Sequence, residues 1–375
     1  MKKQSELKLG VVLSLFDGMS CGQIALNRVG IEYDRYYSSE IDPHAIKVTQ
    51  HNYPNTIQLG SVTEIKGLDL PKIDLLFGGS PCQSFSRAGD NSGFDGSSKL
   101  FWEFVRVLNE VNHTYFLFEN VIMKKEWEEV ITEALGVKPI EITSAKFVPQ
   151  ARRRLYWTNI PNVTQPIQVE YDVLDFIDGE GFPTSCGIDR VFKRKQIFNT
   201  LTATYYKGIR GSSRPAVSIR EGFLDTDREA HRMLTPTECE RLQTVPIGYT
   251  DCVTKTNRYK MLGNGWTVDV IAHIFSTMIE NQKKMTYICR NMDIKDLNQI
   301  TQYFVQYVED EQLGHKFFHK ENDNFKIIIT PDKELYQLNT DHEICGIELN
   351  TIDDLKIRFK SFTGENLEDV SNTWD

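Results

Sequence analysis

Short apolar runs alternate with polar, helix-like stretches through the N-terminal third of the chain. Leu9–Phe16 (LGVVLSLF) is apolar for the length of a buried strand and ends in the glycine-rich turn Asp17-Gly18-Met19-Ser20-Cys21-Gly22. Helical spacing follows over Gln23–Val29, and a second strand is predicted over Tyr33–Ser39, closing on Glu40. Pro43 opens another helix, and Thr56–Leu59 reads as a third strand. Ile73–Phe77 (IDLLF) is a fourth apolar run, stopped by Gly78 and Gly79. A helix is expected over Leu100–Val111, then a strand over Tyr115–Phe118 that ends in Glu119-Asn120-Val121. Strands alternating with helices predict an α/β fold with a mostly parallel, doubly wound sheet. Each noteworthy polar residue sits just past a strand's C-terminal end, so these residues should converge on one rim.

Beyond Arg152-Arg153-Arg154-Leu155-Tyr156-Trp157 the pattern turns irregular, from Asn159 to Arg228, and is rich in Gly, Ser, Thr and Pro. Helical periodicity returns over Thr235–Leu242, and over Val268–Glu280 after Gly263-Asn264-Gly265. From about Met285 a further helix (Leu297–Glu309) and strand-like runs (Phe325–Thr330, Ile344–Leu349) predict a separate α+β appendage. The expected organisation is a catalytic domain in two parts, 1–158 and 231–284. A loop-rich recognition region, 159–230, lies between them, and an accessory domain, 285–375, follows. Internal repeats and low-complexity segments are not evident.

Composition narrows the class. With 40% hydrophobic and 25% charged residues among 375, the chain reads as an ordinary soluble globular protein. No apolar run approaches the roughly 18 residues of a membrane span, and the basic start has no secretory core behind it. Seven scattered cysteines without a C-x-x-C pair argue against a disulfide framework and against structural zinc. No metal is expected, and a reducing cytoplasm fits best. The net charge of −9 is uneven: from Met285 onward 9 Lys/Arg face 18 Asp/Glu, so the rest of the chain is neutral. Arg190 to Arg220 carries eight basic residues and no acidic one. Such a stripe is either a solvated face or a phosphate-binding surface.

The chemistry centres on Gly78-Gly79-Ser80-Pro81-Cys82-Gln83-Ser84-Phe85-Ser86. A cysteine after proline, at the end of a buried strand, is either a small hydrophobe or an aimed nucleophile. The glycine turn at 16–22 would let a ligand reach backbone amides at a helix start, and Glu40 is placed to hold ribose hydroxyls. Together they suggest a cofactor bearing adenosine.

The ordered series FDGMSCG (16–22), GGSPCQSFS (78–86), FENV (118–121), QARRR (150–154), LTPTECERLQ (234–243) and GNG (263–265) resembles the cytosine-C5 DNA methyltransferase family. The resemblance covers about residues 9–280 apart from much of the variable insert. It implies a Rossmann-like sheet that binds S-adenosylmethionine and releases S-adenosylhomocysteine. It also implies sequence-specific methylation of a cytosine flipped out of double-stranded DNA, of the restriction-modification kind, in a bacterial or phage-infected cell. Cys82 would add to cytosine C6, Glu119 would share a proton with N3, and Arg152 and Arg154 would lie near the base, Arg154 at O2. Phe16, Gly18, Gly22, Glu40, Ile41, Val62, Pro81, Leu100 and Asn264 would surround the cofactor. Ser61 stands where the family usually has aspartate. Ser84 would ride on the catalytic loop, whereas Ser86 reads as an ordinary loop residue. Lys193, Arg194, Lys195, Thr200, Thr202, Tyr205, Lys207, Arg210 and Arg214 would contact DNA. The expected state is a monomer, and the acidic appendage is left open as a docking module for a partner, a DNA mimic or a stabilising lid. The alternatives are an RNA cytosine-5 methyltransferase and a catalytically silent DNA-binding regulator.

Overall fold

The structure is a computed structural model. It describes residues 7–81, 99–186, 192–209, 214–219 and 230–291, together with four strands between residues 318 and 347. Two compact units are formed, Met1–Ile279 and Glu280–Asp375.

In chain order the first unit begins with β1 (Leu7–Leu15), α1 (Cys21–Val29), β2 (Ile31–Ser39), α2 (Pro43–Asn52) and β3 (Ile57–Gln58). It continues with β4 (Ile73–Gly78), α3 (Leu100–Glu110), β5 (His113–Val121), α4 (Lys125–Leu135), β6 (Ile140–Thr143), β7 (Gln150–Ala151) and β8 (Arg153–Thr158). One seven-stranded sheet, ordered β3-β2-β1-β4-β5-β8-β6, organises these elements. β8 runs antiparallel to both of its neighbours, while the pairings among β1 to β5 are parallel. This is the doubly wound sheet implied by the alternation of strands and helices, with one reversed strand added. The reversal matters for the site: pairing of β5 with β8 sets Val121 opposite Arg154 and Glu119 opposite Tyr156.

Local signals explain several element ends. Asp42 caps α2, its carboxylate accepting from the His44 amide at 2.9 Å, with Pro43 in the first turn. Gly30 ends α1 in the left-handed region at φ 77°. Helix α4 carries Trp127, Ile131 and Leu135 on one face, but four glutamates mask that stripe in the sequence. The sheet is covered on both faces. On β5, Phe116 and Phe118 pack with Phe101 and Phe104 of α3, and Leu117 joins the opposite layer with Phe77.

The stretch expected to be irregular contains its own sheet. β9 (Phe182–Cys186), β10 (Phe192–Arg194), β12 (Pro215–Ser218) and β13 (His231–Arg232) form a four-stranded antiparallel sheet ordered β10-β9-β12-β13. β11 (Phe198–Asn199) instead pairs in parallel with β7. These strands are two to five residues long, and all four residues of β12 are buried, so no two-residue alternation marks them. Three helices follow, α5 (Pro236–Leu242), α6 (Lys255–Asn264) and α7 (Val268–Asn291), the last running beyond the predicted Glu280. Thr235 and Glu238 form a reciprocal capping box at the start of α5.

The second unit contains a meander in which β14 (Phe318–Asn322), β15 (Phe325–Ile329), β16 (Leu335–Leu338) and β17 (Ile344–Ile347) each pair antiparallel with the next. The helix expected over Leu297–Glu309 lies outside the described residues. No helix among the described residues is long and apolar enough to cross a membrane.

Candidate active site

A cavity of about 480 Å³ opens at the C-terminal ends of β1, β2, β4 and β5. Phe16, Gly18, Glu40, Ile41, Ser61, Val62, Pro81, Leu100, Asn264, Glu119, Arg152 and Arg154 all line it. The size suits a cofactor-sized molecule.

The floor is the turn after β1, where Phe16, Gly18 and Ser20 take positive φ values of 56°, 59° and 59°. Such a backbone is strained for a phenylalanine and persists only when its surroundings enforce it. Asp17 enforces it. Its amide donates to Ser39 O at 3.1 Å, and its buried carboxylate accepts from Tyr36 at 2.7 Å, Ser38 at 2.9 Å and the Ser20 hydroxyl. Burial pushes the Asp17 carboxyl up, while hydroxyls including that of Ser14 pull the other way. Gly18 has open space where a side chain would begin, leaving a cradle beside the backbone. Glu40 is fixed across from it: one oxygen accepts from the Gly18 amide at 2.8 Å, the other from the Ile41 and Asp42 amides, both at 2.8 Å. Ser61 caps the helical turn after it, accepting from the Thr63 amide at 3.3 Å and pairing with the Thr63 hydroxyl at 2.7 Å.

Gly22 does not line the cavity. It faces inward, where a Cβ would lie 2.3 Å from the Phe77 ring, so its role is close packing of α1 on the sheet. Gly22→Ala is expected to destabilise the fold by about 1–3 kcal/mol through overpacking, read as a lower urea midpoint.

The acidic centre is Glu119, 8% exposed. Arg154 Nε meets its Oε1 at 2.9 Å, and the indole Nε1 of Trp266 donates to Oε2 at 2.9 Å. Gly79 is required beside this pair, because a Cβ there would sit 2.7 Å from Oε2. Asn120 folds its Oδ1 onto the Val121 amide at 2.8 Å and reaches Ser80 O and Oγ at 3.5 and 3.4 Å, tethering the end of β5 to the loop after β4. Cys82 and Ser84, which follow in that loop, lie outside the described residues, as does Ser86.

Arg152, expected near the base, lines the cavity and is also tied to the backbone around it. It is 5% exposed, and its guanidinium donates to Leu201 O at 3.2 Å, Gly263 O at 3.3 Å, Asn264 O at 3.4 Å and Gly265 O at 2.9 Å. One charge thus staples the insert to the turn that walls the cavity. Arg152→Met would strand these acceptors and is expected to cost about 3–5 kcal/mol. Thermal unfolding should then fall by roughly 10 °C.

The described residues expected at DNA divide into three groups. Lys193, Arg194 and Lys195 are exposed at β10, with Arg194 lying over the Phe182 ring at 4.3 Å, and Lys207 and Thr202 are also exposed. Thr200 donates its hydroxyl to Ala151 O, and Arg214 donates to Gly208 O at 2.8 Å, so both hold local backbone. Tyr205 is not a surface aromatic: it is fully buried, donates to Pro215 O at 2.9 Å and accepts from the Leu234 amide at 2.8 Å. Its neighbour Tyr206 is the exposed one. Arg210 lies outside the described residues. The insert also presses on the cavity wall, since a Cβ on Gly263 would fall 2.2 Å from the Thr202 carbonyl carbon.

One functional candidate escaped the sequence reading: Trp266 follows the GNG turn directly and lines the cavity. Cys21, expected to be structural, also lines the cavity, and burial pushes its thiol up to about 12, which leaves it protonated at neutral pH.

The family model for C-5 cytosine-specific DNA methylase matches residues 11–177 and 178–280. An orphan methyltransferase of Bacillus phage rho11s is 40% identical over 164 residues, covering 39% of this chain but only 32% of that protein. A Type II methyltransferase of Lactococcus lactis subsp. cremoris is 28% identical over 322 residues, 73% of this chain and 79% of the relative. One from Neisseria lactamica is 27% identical over 308 residues, 71% of this chain and 95% of its own length. Among solved structures, a methyltransferase of Entamoeba histolytica superposes with a TM-score of 0.57 at 18% identity, covering 73% of this chain and 98% of its own. The Dnmt2 methyltransferase of S. pombe gives 0.56 at 19%, covering 72% and 99%. At such identities the structures share a fold. The family match spans most of the chain, from the first strand to the last helix of the first unit, and the chain therefore belongs to the C-5 cytosine-specific DNA methylase family.

Proposed function

We propose that the protein is a sequence-specific DNA (cytosine-5)-methyltransferase that uses S-adenosylmethionine. The observation that carries this reading is the Glu119 carboxylate, gripped by Arg154 and Trp266 on the wall of a cavity that also includes Pro81, the residue before Cys82. The open cradle at Gly18 and the backbone-fixed Glu40 fit an adenosine-bearing ligand, with Phe16 and Leu100 as apolar walls and Glu40 beside the ribose. When bound, S-adenosylmethionine supplies an electrophilic methyl group on a sulfonium, which C5 of the activated base accepts.

The chain's own residues do the activating. The target atom is inaccessible in a stacked duplex, so the cytosine is flipped into the cavity. Cytosine C5 is a poor nucleophile. Addition of the Cys82 thiolate to C6 turns the ring into an enamine, and Glu119 shares a proton with N3 as charge develops there. Arg154 holds Glu119 and reaches the base at O2. Loss of the C5 proton to water and expulsion of Cys82 as the thiolate restore the aromatic ring. Lys193, Arg194, Lys195 and Lys207 are exposed and would make phosphate contacts, which position the duplex without reading sequence.

Labelled methyl transfer to duplex DNA, with tRNA in parallel, tests the substrate. DNA containing 5-fluorocytosine should trap a covalent complex. If no cytosine context yields methyl transfer or an adduct, the reading is wrong, and transfer to tRNA alone would reassign the substrate.

Ser61 gives a graded test. Aspartate is as good a cap for the following turn, and it would add a charged acceptor at the cavity edge. Ser61→Asp is expected to tighten S-adenosylmethionine binding by about tenfold, measured by titration calorimetry.

A further inference from the structure

We infer that Trp266 is the positioning residue for the Glu119 carboxylate, acting through its indole N–H. The inference rests on the methyltransferase reading for the reaction it serves, but the contact stands on geometry alone. A carboxylate facing only Arg154 could rotate to meet several guanidinium N–H groups. Two donors on separate oxygens, Arg154 at Oε1 and Trp266 at Oε2, both at 2.9 Å, fix its plane. An indole N–H only donates. It can hold the carboxyl group without taking a proton from it, so a proton carried there can meet cytosine N3 while an oxygen lone pair remains to accept from the base's amino group.

The indole is itself held from three sides. Its ring lies 5.8 Å from that of Phe77, which contacts Phe275 at 5.6 Å. The preceding Gly265 carbonyl accepts from Arg152 at 2.9 Å and from Gln243 at 3.2 Å, and its amide donates to Met261 O at 2.7 Å. Gly79 leaves room for the bond, since a Cβ there would stand 3.3 Å from Nε1. A donor supported in this way aims its acceptor as well as satisfying it.

Trp266→Phe keeps the aromatic packing on Phe77 and deletes the donor. Its kcat for methyl transfer is expected to fall about 10- to 100-fold, with KM for DNA and for S-adenosylmethionine changed by less than about threefold. The rate of adduct formation on 5-fluorocytosine DNA should fall in parallel. Trp266→His returns a ring N–H and should recover part of the lost kcat. Independently of activity, the Trp266 indole resonance in protein carrying 15N-labelled tryptophan, assigned by its absence in Trp266→Phe, should move upfield in Glu119→Ala. The proposal is overturned by an unmoved resonance, by a kcat within twofold of the parent, or by a loss confined to KM. A wild-type protein without methyl transfer would remove the enzyme reading and leave the resonance as the test of the contact.

Discussion

A Cys82→Ala protein is expected to lose methyl transfer by about ten-thousand-fold or more and to form no adduct with 5-fluorocytosine DNA. Without addition at C6, cytosine C5 has no nucleophilic character to use, and neither of the two buried thiols, Cys21 and Cys239, can stand in for Cys82. Cys21 lines the cavity but is held protonated by burial, which pushes it up to about 12. Cys239 is buried in the core and pushed well above the usual thiol range. Binding of S-adenosylmethionine should survive the substitution within about twofold, since Glu40, Gly18 and Phe16 are untouched. Labelled transfer, gel analysis of the trapped complex and calorimetry together read these outcomes. Retained transfer would move the nucleophile elsewhere.

Glu119→Gln is the second large effect, and it differs from a simple loss of charge. Arg154 and Trp266 both donate, one to each carboxylate oxygen. A glutamine side chain has a single acceptor oxygen and an NH₂ group that cannot accept. Whichever way the amide turns, one of the two donors faces another donor, which costs about 1–3 kcal/mol. The proton shared with N3 is lost as well. We expect kcat to fall about 100- to 10,000-fold, with the fold retained and DNA binding little changed. Adduct formation should slow in step with transfer, because the proton is needed when Cys82 adds rather than afterwards.

The sheet and the family were legible because each depends on local chemistry. Apolar runs closed by glycine marked β1 and β4, and the Pro-Cys, Glu-Asn-Val and Gln-x-Arg-x-Arg segments carried the family resemblance. What escaped the sequence depends on long-range packing. Whether Gly22 serves a ligand or a core ring depends on Phe77, more than fifty residues away. Arg152 and Arg154 stand two residues apart in one motif, yet one grips backbone carbonyls and the other a carboxylate. That divergence follows from the reversed direction of β8 and from the insert lying over Arg152, neither of which the motif encodes. Tyr205 and Tyr206 have the same side chain, and only tertiary burial separates core from surface. The small antiparallel sheet was hidden for a similar reason: its buried strand Pro215–Ser218 lacks alternation, because both of its faces are covered.

The close seat of the Thr202–Ala203 peptide on Gly263 bears on how target preference could be altered. In a chimera that exchanges the stretch between the two parts of the catalytic domain, the transplanted loop must present the same flat peptide bond to residue 263. It must also offer a carbonyl where Leu201 now meets Arg152. Under the proposed function, the insert is therefore not a detachable specificity cassette. A productive graft keeps Leu201 to Ala203 as a fixed hinge-plate and varies only what lies beyond it.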